Sequence, residues 1–287
     1  ARRILTDWRP AAVAGMGSYI SFPAVLAARI SGVPSFIHEA NAVFGLSNRI
    51  CSFFASGVAL GLPMHGITGG SRFRITGMPV RSHFSGPESP ITARAAFGLA
   101  PEKTTVLIFG GSQGARKLNL VMSDLAKRLV AERPDIQFLH ISGHRDHEMM
   151  KAAYQGTAQT GCIALLDYCD DMHKAYAAAD MVVSRAGAGT VAELIQLRKP
   201  AILVPLPDAP DDHQAENAGI LESAGAAIML RESPLFREEL YARIAALLST
   251  PERLSAMRKG FAQLKLPEPA VAAAKLAEFI IETLQKA

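Results

Sequence analysis

Six residues, Gly110, Gly111, Ser112, Gln113, Gly114 and Ala115, separate an apolar run, Val106 to Phe109, from a helical pattern with Leu118 and Val121 on its inner face. Glycines at a strand-to-helix turn let the backbone come close to a ligand. The helix behind them offers unpaired N–H groups and a partial positive charge, which together favour phosphate. The expected chemistry is the holding of a diphosphate; the plain alternative is a tight β–α turn with no ligand. Three more polar clusters follow apolar runs: Leu166 to Met172 (LDYCDDM), Ser184 to Glu193 (SRAGAGTVAE) and Asp208 to Asn217 (DAPDDHQAEN). His38, Glu39, Ala40 and Asn41 end another. His38 and Glu39 fit an acid–base pair, a pair that orients an acceptor, or a structural histidine at a strand end. The paired acids Asp170, Asp171, Asp211 and Asp212 read as helix N-caps or solvated charge, and no protein-bound metal is expected. His140, His144, His147 and His173 read as surface or cap residues, and Met149, Met150, Met172 and Met257 as core filling.

These clusters need a scaffold that brings strand ends together. Buried strands are expected at 104–109, 136–141, 162–166, 181–184, 201–205 and 226–230, alternating with helices at about 115–131, 145–155, 171–178, 189–197, 213–223 and 236–248. That alternation predicts a doubly wound parallel sheet, and such sheets bind ligands beyond the carboxyl ends of their strands. An earlier βαβ rhythm places strands at Ala11–Gly15, Val33–Ile37, Val58–Leu60 and Phe73–Ile75, with helices over Phe22–Ile30 and Leu46–Ala55. The expected division is a first domain over 1–85, a proline-marked linker over 86–101 with a weak helix at 91–98, and a second domain over 102–265. Helices at 251–264 and 269–285 follow the last strand. The apolar face of the final one (266–287 with its lead-in) is expected to pack back toward the first domain.

The chain has 287 residues, enough for two domains. It is 49% hydrophobic and 20% charged, an ordinary globular profile. At 7% aromatic it offers little to stack nucleic-acid bases, so no nucleic-acid partner is expected. A net charge of +4 and a pI near 9.0 suit a nucleotide or an anionic membrane surface. Cys51, Cys162 and Cys169 are odd in number and lack metal-like spacing, which points to reduced thiols in a reducing compartment. No apolar run is long enough to span a membrane, so membrane association is expected to be peripheral. The chain opens at Ala1 in a helix-like segment rather than a strand, so it is expected to lack an N-terminal portion.

The motifs GMGSY (Gly15 to Tyr19), HEAN (His38 to Asn41), PVR (Pro79 to Arg81), GGSQGA, DDM (Asp170 to Met172), RAGAGTVAE (Arg185 to Glu193) and DDHQAEN (Asp211 to Asn217) stand in the order and spacing of one family. The chain resembles the MurG family of peptidoglycan glycosyltransferases, which move N-acetylglucosamine from UDP to lipid I and make lipid II. The resemblance covers essentially the whole chain. It implies an α/β fold of the GT-B type: two doubly wound Rossmann-like domains flanking a cleft, the N-terminal one incomplete here. It implies UDP-N-acetylglucosamine and lipid I as partners, no cofactor, and a place on the cytoplasmic face of the bacterial inner membrane.

By the same resemblance, Ser112 and the loop of Gly110, Gly111, Gln113 and Gly114 would hold the diphosphate. Cys169 would stand where backbone grips uracil. Glu193 would bond the ribose hydroxyls, and Ala188, Gly189 and Thr190 would line the donor pocket. Gln214 would bond the sugar hydroxyls, and Asn41 and Arg81 would reach across the cleft. The family's N-terminal glycine-rich loop, whose histidine is a candidate base, does not occur in this sequence; His38 and Glu39 are the remaining weak candidates. Met78 replaces a usual Asn and Ala40 a usual Gln. Two other readings stay open: a UDP-sugar epimerase of the same fold, and a non-catalytic UDP-sugar-binding module or half of a split enzyme.

Overall fold

A computed structural model describes residues 1–67, 70–86, 88–111, 114–156 and 161–286. Ser112 and Gln113 lie outside the described residues. The chain forms two parallel sheets. The first contains β1 (Val13–Gly15), β2 (Ser35–Glu39), β3 (Gly57–Leu60) and β4 (Phe73–Ile75), in that spatial order. Helices α1 (Arg2–Trp8), α2 (Ser21–Ile30) and α3 (Leu46–Cys51) accompany it. The helix expected to run to Ala55 ends at Cys51, where the Ser52 N–H still bonds back to Asn48 but the chain then turns to enter β3.

The second sheet holds β5 (Thr104–Phe109), β6 (Ile136–Ile141), β7 (Ile163–Leu166), β8 (Met181–Ser184), β9 (Ala201–Leu203) and β10 (Ala227–Met229). Their spatial order is β10-β9-β8-β5-β6-β7, all parallel. Helices α5 (Arg116–Glu132), α6 (His147–Ala153), α7 (Met172–Ala178), α8 (Ala188–Leu197), α9 (His213–Ser223) and α10 (Phe236–Leu248) connect and flank these strands. A sheet covered on both faces needs unbroken apolar strands. Val106, Leu107 and Ile108 are accordingly fully buried, with Val106 and Ile108 on one core and Leu107 on the other.

Between the sheets, α4 (Pro90–Ala96) is anchored to the second one rather than bridging freely. Arg94 donates from Nε to the Ala178 carbonyl at 3.0 Å and from its guanidinium to Asp180 at 2.8 Å, while Ala93 and Leu99 are buried. After α11 (Pro251–Gly260) the chain crosses back, and α12 (Ala272–Gln285) lies on the first sheet. Phe279 meets Phe36 edge-on at 6.1 Å, and the Arg74 guanidinium sits 4.8 Å over the Phe279 ring while pairing with Glu282 at 2.8 Å. Gly57 makes room for this packing: a Cβ there would lie 2.8 Å from both rings.

One expectation about histidines is corrected. His140 is fully buried, because every residue of β6 is buried. Among the methionines, Met150 and Met257 are core, Met149 is only partly covered beside Arg116, and Met172 packs partly buried against the core while also lining a cavity.

Candidate functional site

In the second sheet the chain runs outward from β5 in both directions, through β6 and β7 on one side and β8, β9 and β10 on the other. The crevice at such a reversal is where open α/β sheets take ligands. A cavity of about 410 Å³ opens there, lined by Gly111 beyond β5, Gly143 beyond β6, Asp167, Tyr168, Cys169 and Met172 beyond β7, and Gly187, Gly189, Thr190 and Glu193 beyond β8. Arg81 and Phe84 close it from the segment after the first sheet. Of the residues singled out from sequence, the cavity thus gathers Arg81, Gly111, Cys169, Gly189, Thr190 and Glu193. Ala188 opens α8 between two cavity glycines.

The loop after β5 closes on itself. The Gly114 N–H bonds to the Gly111 carbonyl at 3.0 Å, and both glycines have positive φ, +74° and +87°. Gly110 is the tightest point, where a Cβ would fall 2.4 Å from the Ala115 Cβ and backbone nitrogen.

Behind the loop, Asn119 fixes the first turn of α5. Its Nδ2 donates to the Ser142 carbonyl at 2.8 Å and to Asp146 at 2.9 Å. Its Oδ1 therefore faces His140 Nε2 at 3.1 Å, and His140 Nδ1 meets the Tyr154 hydroxyl at 2.8 Å. Burial drops the His140 pKa to about 3, so the ring is neutral, donating from Nε2 to Asn119 and accepting from Tyr154 at Nδ1. Sequence reading missed this network; the signal available was a histidine inside a strand whose neighbours are all apolar.

A second tie joins the loop after β8 to the same helix. Arg185, buried, pairs with Glu232 at 2.7 Å, and Glu232 also pairs with Lys117 at 2.7 Å. Burial pushes the Glu232 carboxyl up, but the hydrogen bonds from Lys117 and Arg185 outweigh it and hold the pKa below the usual range. Breaking one partner of such a buried group costs more than the pair gains, so it fixes geometry more than it adds stability.

Glu193 lines the cavity wall, half-buried, with Oε2 accepting the Tyr176 hydroxyl at 2.8 Å. Tyr176 is fully buried against the edges of Phe84 and Phe109, 6.0 and 5.8 Å away. Burial raises the Glu193 pKa; the Tyr176 hydrogen bond and the Arg81 charge work against that rise. Tyr176 carried no signal in the sequence beyond an aromatic on an apolar helix face. Removing its hydroxyl with Tyr176→Phe is expected to cost one hydrogen bond, about 1 kcal/mol of stability. A chemical denaturation curve of the variant measures this.

Gln214 does not line this cavity. Its Oε1 accepts the backbone N–H groups of Ala186 at 3.3 Å and Leu206 at 3.0 Å, holding the loops after β8 and β9 together. The paired acids do not cap helices: α7 and α9 have no side-chain cap. Asp171 pairs with Lys174 at 2.8 Å, Asp211 with Arg49 at 3.3 Å and Asp212 with Arg231 at 2.6 Å. Ion pairing displaces capping because Asp211 and Asp212 both take left-handed backbone, φ 52° and 51°, in the turn ahead of α9. No group of three or more metal-ligating side chains occurs among the described residues.

The first domain contributes a second cavity of about 360 Å³, lined by Met16 to Tyr19, His38 to Asn41 and Gly45 to Asn48. Glu39 is saturated there. Oε1 accepts the Asn41 N–H at 3.0 Å and Asn41 Nδ2 at 3.2 Å; Oε2 accepts the Gly45 N–H at 3.1 Å and Asn48 Nδ2 at 2.8 Å. The carboxylate pins the loop after β2. His38 is 3% exposed and bonds through Nε2 to the Gly77 carbonyl at 3.0 Å, with burial lowering its pKa. Both residues are thus engaged in holding backbone.

The family models for the glycosyltransferase family 28 C-terminal and N-terminal domains match residues 105–272 and 1–60. The chain is 38% identical over 282 residues to a protein of Elusimicrobium minutum named UDP-N-acetylglucosamine–N-acetylmuramyl-(pentapeptide) pyrophosphoryl-undecaprenol N-acetylglucosamine transferase, covering 98% of this chain and 76% of that protein. The crystal structure of Acinetobacter baumannii MurG superposes with a TM-score of 0.78 at 30% identity, over all of this chain and 76% of that one. A putative UDP-N-acetylglucosamine 2-epimerase of Listeria monocytogenes shares the fold, with a TM-score of 0.71 at 15% identity, over 100% of this chain and 78% of that one. Two parallel sheets facing across a cleft, a glycine-closed loop at the reversal of the second sheet, and matches running along nearly the whole sequence place this chain in glycosyltransferase family 28.

Proposed function

We propose that the chain transfers N-acetylglucosamine from UDP-N-acetylglucosamine to the muramyl-pentapeptide of lipid I, giving lipid II. The observation that carries the reading is the cavity at the reversal of the second sheet. It unites a closed glycine loop, a half-buried carboxylate and an arginine from the opposite side of the cleft. Each suits one part of a nucleoside diphosphate. Glu193 accepts from the ribose hydroxyls, and Gly110, Gly111 and Gly114 bring backbone to the diphosphate. Arg81 pairs its guanidinium with phosphate oxygens. Cys169 lies where the base would enter.

The reaction is an inverting displacement. The acceptor hydroxyl attacks the anomeric carbon and gives up its proton, in the end to solvent, as the bond from that carbon to the diphosphate oxygen breaks on the opposite face and UDP leaves. The dipole of α5 and Arg81 offset the charge that develops on departing UDP, while the cleft walls hold the reactants in line. The first-domain cavity takes the acceptor, and Asn41 in its lining also reaches the donor's sugar. No cofactor or resident metal enters this scheme.

The acceptor is a lipid, so the enzyme works at a membrane surface, on the cytoplasmic face. No helix among the described residues is long and apolar enough to cross a membrane. The first domain carries exposed Tyr19, Ile20, Leu46 and Phe53 beside Arg49 and Arg72, a mixed apolar and basic surface suited to anionic headgroups.

The test supplies radiolabelled UDP-N-acetylglucosamine to the purified chain, with and without lipid I in anionic vesicles. Label is expected in the lipid fraction only when both substrates are present. Turnover of the donor alone would instead mark an epimerase. UDP binding with no turnover in either arm would mark a binding module or half of a split enzyme. Absence of any UDP binding would sink the donor-site reading itself.

A further inference from the structure

Asn217, in α9, is fully buried and joins the two domains. Its Oδ1 accepts the Ala42 N–H at 2.8 Å. Its Nδ2 donates to the Ala186 carbonyl at 3.1 Å and to Asn41 Oδ1 at 3.0 Å. Asn41 and Ala42 follow β2 of the first sheet. Ala186 follows β8 of the second, one residue ahead of Gly187 in the cavity wall.

A side-chain amide can face either way, but here each end is fixed by a group with a single role. A backbone N–H only donates, so Asn217 turns its oxygen to Ala42. A carbonyl only accepts, so the nitrogen faces Ala186. The second hydrogen on that nitrogen needs an acceptor, so Asn41 turns its oxygen to Asn217. The Asn41 nitrogen then faces Glu39 Oε1 at 3.2 Å, a carboxylate already held by Gly45 and Asn48. The donors therefore run outward from Asn217, to Ala186 on one side and through Asn41 to Glu39 on the other. This leaves one Asn41 N–H over, on a residue that lines the first-domain cavity. The Arg49–Asp211 pair crosses the same interface at 3.3 Å, but its side chains are 51% and 46% exposed. Water and salt screen a pair of that kind, so it orients little.

We infer that Asn217 is a positioning residue of the transferase: it sets the register of the two domains and turns Asn41 so that its remaining N–H meets an acceptor oxygen of the donor's sugar. The inference rests on the donor-site reading above. It assigns Asn41 the part of hydrogen-bond donor, and it makes the sugar's contribution to donor binding depend on a residue that never touches the sugar.

The test compares UDP with UDP-N-acetylglucosamine by titration calorimetry on the unaltered chain, Asn217→Asp, Asn41→Ala and the double variant. Aspartate keeps the shape of Asn217 and the acceptor for Ala42, but sets an oxygen against both Ala186 O and Asn41 Oδ1. UDP affinity is expected to hold within about twofold while UDP-N-acetylglucosamine weakens about tenfold, the scale of one misdirected hydrogen bond. In the Asn41→Ala background the aspartate is expected to add no further loss of sugar-dependent affinity, because its target is gone. A purely structural Asn217 would lower both affinities together, or act equally in the two backgrounds, and either result overturns the inference while the donor site stands. If the unaltered chain binds no UDP, the donor-site reading falls and takes this inference with it. Should Asn217→Asp lose UDP binding along with its fold, Asn217→Ser carries the same comparison, with an expected loss of about threefold.

Discussion

Gly110→Ala is expected to weaken UDP binding about a hundredfold, the upper end of the 1–3 kcal/mol cost of overpacking. The added carbon would sit 2.4 Å from the Ala115 Cβ and from its backbone nitrogen, and 2.6 Å from the Gly114 carbonyl carbon. A flexible side-chain tip could move aside; backbone cannot move without opening the turn. Ala115 directly precedes the first residue of α5, so a shift there displaces the helix N-terminus that the proposed site sets against the diphosphate. The loss should therefore fall on UDP and much less on uridine, which lacks the phosphates. Gly219→Ala is the control: a Cβ there meets nothing within 4 Å, and it sits in α9 rather than at a turn. Alanine is the better helix former by about 0.5–1 kcal/mol, so this variant should melt at or above the original temperature. Calorimetric titration of UDP and a melting curve on each variant decide the matter. A Gly110→Ala chain that binds UDP as the original does would remove the loop from the site.

Glu193→Gln is expected to weaken UDP binding by about 10- to 100-fold, since hydrogen bonds to a charged acceptor are worth about 1.5–3 kcal/mol. The glutamine keeps the volume and can still accept from Tyr176, so the change isolates the charge. Two pH effects follow from the raised Glu193 pKa, and they have opposite signs. In the proposed site the ribose hydroxyls donate to the ionised carboxylate, so UDP affinity should fall as pH drops through the raised pKa, beginning above the ordinary glutamate range. The Gln variant should show no such fall. Stability runs the other way. A carboxyl whose pKa is higher folded than unfolded favours the folded state at pH below its unfolded value, and that contribution is lost as pH rises through the folded value. At neutral pH the ionised Glu193 is thus a cost to the fold, and Glu193→Gln should melt no lower than the original chain. A variant that binds UDP normally, or whose affinity follows pH like the original, would release Glu193 from this role.

The opposition of those two effects is characteristic of a residue kept for binding. Its carboxylate is half-buried where ionisation is unfavourable, and Tyr176 and Arg81 make up part of the difference. The same economy appears at Glu39, whose oxygens are all committed to loop backbone and amides. That commitment gives Glu39 the loop after β2 to hold.

The sequence by itself determined the strands and the turns. Six apolar runs alternating with helical periods could only become a parallel sheet covered on both faces, and polar clusters directly after those runs had to gather along one edge. The position of Gly111, Cys169, Thr190 and Glu193 beside one cavity follows from that alternation alone. What only the tertiary structure decided is which polar groups face one another inside. His140 looked like a surface residue because periodicity describes neighbours along the chain, whereas its partners Asn119 and Tyr154 come from α5 and from the turn that ends α6. The bond from Asn217 to Asn41 spans 176 positions and two domains. Hydrophobic pattern is a local property that repeats with the period of helix or strand, so it can be read from one stretch. A buried hydrogen bond is a demand for a particular partner in a particular direction, and only packing of the whole chain reveals where that demand is met.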